Sequence, residues 1–120
     1  GSAGFRYLYA KKFGKSALGL SQAGANYDLV LFWAQCAAYA KRPSKFSAVL
    51  KVLPETLYRG VSGVFNLSAA SRVALGYPAD TKDPSFGLPH LTFQIQGKEQ
   101  VILAPPPYVA GTFAAPSWIA

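Results

Sequence analysis

Residues 26–41 read NYDLVLFWAQCAAYAK, and this stretch decides the fold class. Asn26 is a natural helix N-cap, and Asp28 in the first turn suits the positive end of the helix dipole. Lys41 and Arg42 occupy the negative end, and Pro43 closes the helix. Leu29, Trp33, Cys36, Ala37 and Ala40 share one face, widened by Leu31, Phe32 and Tyr39. A helix apolar almost all round is normally buried, so the pattern predicts an interior helix with Trp33 and Cys36 covered. A membrane span needs about 20 largely apolar residues. Ser21, Gln22, Asn26, Asp28 and Gln35 interrupt 17–40, which favours a packed helix over a span.

Upstream, residues 2–13 form a short basic amphipathic helix by pattern. Phe5, Leu8, Tyr9 and Phe13 recur near helical spacing, Ser2 is available as a cap and Gly14 as the stop. Residues 16–25 are small and glycine-punctuated, the composition of a connector or of a close-packing segment. Downstream, Ser44 can cap a short helix carrying Phe46, Val49, Leu50 and Leu53, ended by Pro54. Residues 57–65 suit an extended strand, and Ser68 can cap a third short helix over 69–75 stopped by Gly76. Residues 76–90 read as a loop. Then Leu91, Phe93 and Ile95 alternate with Thr92, Gln94 and Gln96 before Gly97-Lys98 turns into 99–103, a β-hairpin whose register stays open, because a two-residue and a three-residue loop put different residues of 101–103 on the core face. From Pro105 the chain is Pro-rich and uncharged, favouring a polyproline II tail. The expected architecture is a small irregular α+β fold. Short helices fill the N-terminal two-thirds, a hairpin comes late, and residues 104–120 form an extended Pro-rich tail beyond a single domain at 1–103.

The composition is apolar and sparsely charged: 51% hydrophobic and 14% charged, with a formal net charge of +7. Few charges remain to cover a surface, so part of it is expected to lie against a partner. The positive charge is concentrated between Arg6 and Lys51, where Asp28 is the sole acid. Arg6, Lys11, Lys12, Lys15, Lys41, Arg42 and Lys45 are therefore candidate contacts to an anionic surface: lipid headgroups, RNA or an acidic protein. In the tail, Pro106, Tyr108, Phe113, Trp118 and Ile119 are candidate anchors on a neighbouring protein chain. The sequence contains no methionine, so a processed or trimmed chain is expected.

Catalytic templates find little to hold. One cysteine, Cys36, and one histidine, His90, exclude a disulfide framework and a His/Cys metal set. No Gly-x-x-x-x-Gly-Lys-Ser/Thr phosphate loop occurs. Asp80 and Asp83 are close in sequence but lie among Pro and Lys, as turn carboxylates do. No catalytic, metal or cofactor site is assigned. Leu57-Tyr58-Arg59-Gly60, with Glu99 on a later strand, resembles the arginine and glutamate motifs of mono-ADP-ribosyltransferases, without a counterpart of their serine motif. Residues 88–93 with Gly97 and 106–108 resemble a hairpin of pepsin-like aspartic proteases, without an Asp-Thr-Gly or Asp-Ser-Gly triplet. Neither resemblance assigns the chain to a family.

These readings point to a non-catalytic accessory or structural subunit of a larger organellar, membrane-associated complex of respiratory or photosynthetic type, in mitochondrion or plastid. Other protein subunits are its expected partners, with anionic lipid nearby and no cofactor or small-molecule substrate. The alternative is an RNA-contacting ribosomal or organellar ribosomal protein, and third an isolated enzyme.

Overall fold

The computed structural model describes residues 2–14 and 20–119. It is a small α+β fold with short antiparallel hairpins. The chain divides into two compact units, Gly1–Leu88 and Pro89–Ala120, so the late hairpin falls with the tail.

In the first unit, α1 spans Ser2–Phe13 and stops at Gly14, whose φ of +88° only glycine adopts freely. Lys15 and the expected connector's first residues, 16–19, lie outside the described residues. Helix α2 spans Leu20–Ala40, six residues longer at its start than the sequence pattern marks. Asn26 is thus an interior residue and not a cap, and the rest of the expected connector is helical. Helix α3 spans Phe46–Val52 and runs into a 3-10 turn at Leu53–Glu55. Lys45 is its cap residue, without a side-chain capping bond, in place of Ser44.

The single strand expected over 57–65 is a hairpin. Strand β1 (Leu57–Arg59) pairs antiparallel with β2 (Val64–Asn66) in the register Leu57↔Asn66, Tyr58↔Phe65 and Arg59↔Val64. Its turn is closed by the Gly60 amide donating to the Gly63 carbonyl at 2.8 Å. The helix expected over 69–75 does not form. Leu75 instead donates to the Asn66 carbonyl and accepts from the Leu88 amide, at 2.9 and 2.8 Å. Those long-range backbone bonds outweigh the weak helical propensity of seven residues. The presumed loop that follows contains a two-stranded pair, β3 (Gly76–Tyr77) with β4 (Leu88–Pro89). Within it, the Asp80 carboxylate accepts from the Gly76 amide and Asp83 from Ser85, so both acids hold turns.

The core of the first unit is Phe32 and Cys36 from α2, Val49 from α3 and Phe65 from β2. Rings of Phe32, Tyr58 and Phe65 stack about one another at 5.9–6.1 Å between centroids. Cys36 is buried as expected, but Trp33 is not: it is 38% exposed, while neighbouring Phe32 is only 4% exposed.

In the second unit, β5 (Thr92–Gln96) pairs with β6 (Glu99–Ala104) through the two-residue turn Gly97-Lys98, with Gly97 at φ +66°. The sequence places Leu91, Phe93 and Ile95 on a core face, yet all three are exposed. The half-buried face carries Gln94 and Gln96, whose amides hold the tail. Gln94 donates to the Ala114 carbonyl at 2.8 Å and accepts from the Ala114 amide at 3.0 Å. Gln96 donates to the Thr112 carbonyl at 2.8 Å, and the Ala110 amide donates to Ile102. The tail therefore lies along its own hairpin. It starts with a turn, in which Tyr108 donates to the Pro105 carbonyl at 3.0 Å, in place of a polyproline II rod.

Val49→Ala, which empties the most tightly covered aliphatic site, is expected to cost about 1–3 kcal/mol by the usual penalty for deleting buried methyl groups. Val73→Ala, at a position 65% exposed, should stay within about 0.5 kcal/mol. Urea unfolding midpoints of the two variants check this.

Candidate functional site

The most constrained polar group of the first unit is Asp28. It sits fully buried on α2, facing the β1–β2 turn. One carboxylate oxygen accepts from the Val61 amide at 2.9 Å, the other from the Ser62 amide at 2.7 Å. Tyr58 adds a long contact from its hydroxyl at 3.5 Å. Burial, with the Asp28 charge second, pushes the Tyr58 phenol up from its ordinary range. Charge-assisted bonds to two backbone donors offset the cost of burying a carboxylate.

The turn seats so closely on α2 that its sequence is restricted at two points. A Cβ at Gly60 would fall inside the Asp28 carboxylate. One helical turn away, a Cβ at Gly24 would meet the Ser62 hydroxyl at 3.0 Å and the Val61 side chain at 3.3 Å. Gly24, Asp28, Phe32 and Cys36 are all buried and recur every four residues, so they are the stripe that α2 turns inward. That rotation explains the exposure of Trp33. The carboxylate fixes which face points in, and Leu29, Val30 and Trp33 turn out.

Two open grooves result. In the first, of about 520 Å³, Phe5, Tyr9 and Phe13 of α1 stack in series and Phe5 meets Tyr27 of α2 at 5.1 Å. Val61 lines it from the turn, and Lys12 borders it with its ammonium 5.4 Å from the Phe13 ring centre. The second, of about 450 Å³, is aliphatic: Leu29, Val30, Phe32 and Trp33 of α2 with Leu53 and Leu67. Trp33 also stacks on Phe46 of α3 at 5.6 Å. The sequence signalled this surface only through its excess of apolar residues.

The candidate cations Arg6, Lys11, Lys12, Lys41, Arg42 and Lys45 are all exposed, on α1 and on the α2–α3 connection; Lys15 lies outside the described residues. Of the tail anchors, Phe113, Trp118 and Ile119 expose their side chains while the backbone nearby is held by the hairpin. Pro106 and Tyr108 belong to the turn that opens the tail.

Cys36 and Arg59, two side chains that catalytic templates would draw on, both lie in the first unit. Burial pushes the Cys36 thiol up, against a smaller lowering by the Thr56 hydroxyl, so at neutral pH it stays a protonated core thiol. Arg59 directs its guanidinium to the Ser85 carbonyl at 2.9 Å, within the fold. Among the described residues no group of three His, Cys, Asp or Glu side chains is placed to hold a metal ion. Nor is any helix of the described residues long and apolar enough to cross a membrane.

No family model matches this chain, and no curated protein matches its sequence. A solved structure does. It is a protein from Silicibacter pomeroyi provisionally assigned as a branched-chain amino acid ABC transporter, matched at a TM-score of 0.83 and 29% identity. The match covers 97% of this chain and 31% of that one, so this chain spans about a third of the length of the structure it resembles.

Asp28→Asn keeps the volume at position 28 but turns one oxygen into a donor facing a backbone donor. It should cost about 1–3 kcal/mol, the penalty of an unsatisfied buried group. Gly60→Ala should be at least as damaging, because its methyl meets the carboxylate. Denaturant unfolding of both variants beside wild type measures this. Cys36 should react with a thiol reagent only after denaturant unfolds the chain.

Proposed function

We propose that this chain is a non-catalytic part of a solute-transport polypeptide handling branched-chain amino acids, the solute class named for the structure it resembles. The observation that carries this reading is the near-complete match of the chain to one portion of that structure, at 29% identity. The lack of a phosphate loop in the sequence leaves nucleotide hydrolysis to other parts of such a system. The proposed role is to supply folded surface to a larger body, with protein as the main partner. This keeps the expectation of an accessory part in a larger assembly. An organellar setting is carried only by sequence features: no methionine, an acid-free basic start, few charges on an apolar chain, and a Pro-rich tail.

Thermal unfolding of the protein in its full natural length, with and without added leucine, isoleucine or valine, tests the reading. A ligand at 100 times its Kd stabilises the native state by about 2.7 kcal/mol, which raises the midpoint by roughly 5–11 °C for a body of about 150–250 residues. At least one branched-chain amino acid should do so, and lysine and glutamate at equal concentration should not. Equal midpoints throughout would refute the solute assignment.

A further inference from the structure

The aliphatic groove on α2 is an apolar face that the first unit leaves open. Val30 is 68% and Leu29 49% exposed, beside Trp33 and the edges of Leu53 and Leu67. None of these side chains carries a charge, and the Trp33 indole N–H is their one polar group. The α2 backbone is bonded within the helix, so a partner strand would find no free edge to pair with. An occupant must therefore offer apolar side chains from a helix or sheet face. Several elements in both compact units expose large apolar residues: Tyr7, Leu8 and Phe13 on α1, Phe93 and Ile95 on β5. A two-fold contact with a second copy buries one self-complementary patch and would leave the others open. A larger body suits such scattered exposure better. The structure this chain resembles has such a body, since more than two thirds of its chain lies outside the match.

We infer that the groove formed by Leu29, Val30, Trp33, Leu53 and Leu67 is an internal docking face, covered by an apolar helix or sheet face elsewhere in the same polypeptide. The nature of the covering body rests on the transport reading.

Cysteine labelling of the protein in its full natural length tests the inference. Val30→Cys and, as a second position, Leu29→Cys put a thiol on the groove at residues outside the core. Lys98→Cys, at the polar hairpin turn, is the exposed reference. Maleimide incorporation is read by peptide mass at each site. Covering predicts labelling at position 30 or 29 about tenfold or more slower than at position 98, equalised by denaturant and unchanged on hundredfold dilution. Labelling as fast as at position 98 overturns the inference. So does protection that fades on dilution, which marks a second copy, or protection that appears only with anionic vesicles, which marks lipid. Fast labelling with amino-acid stabilisation intact defeats the covering alone. Slow labelling without such stabilisation defeats the transport reading alone.

Discussion

Two backbone amides of the β1–β2 turn point at one buried carboxylate, and the first compact unit is arranged around that contact. Asp28 needs donors because an unpaired carboxylate cannot stay in an apolar interior. The turn supplies them only if it approaches α2 closely, which Gly24 and Gly60 permit and any side chain at position 60 would block. Once the turn is seated, β1 and β2 bring Tyr58 and Phe65 against Phe32, and the small core closes with Cys36 and Val49.

The same contact accounts for what stays uncovered. A helix apolar on most of its circumference has several ways to face a core, and hydrophobicity alone does not choose among them. The carboxylate does, and it leaves Leu29, Val30 and Trp33 outside. On the hairpin a parallel choice is made by amides: Gln94 and Gln96 bind the tail and so direct Phe93 and Ile95 outward. In both units a polar contact sets the orientation and turns apolar side chains outward.

Local signals made much of this legible. Gly14, Pro43 and Gly97 mark real stops and turns, and the α+β class follows from a long apolar helix with a late hairpin. What local pattern could not show was long-range pairing. The 69–75 segment has a helical cap and stop, yet its backbone is taken by Asn66 and Leu88, partners that no window of that length contains. Local pattern makes Asp28 a dipole partner, because a first-turn acid usually is one. Its true role needs the Gly60–Gly63 turn more than thirty residues away. The grooves were foreshadowed only as an excess of apolar composition, and the transport reading depends on a structural likeness that no motif in the sequence announces.

The Asp28 contact orders the first unit, and amide hydrogen exchange at Val61 and Ser62 reads it directly. Turn amides without partners exchange at nearly the rate of an unfolded chain, whereas bonded ones wait for an opening of the structure. If the carboxylate holds the turn, both amides exchange as slowly as the amides of α2 around Phe32, and Asp28→Asn accelerates them selectively. Fast exchange at Val61 and Ser62 in the wild-type protein, beside a protected α2, would contradict it.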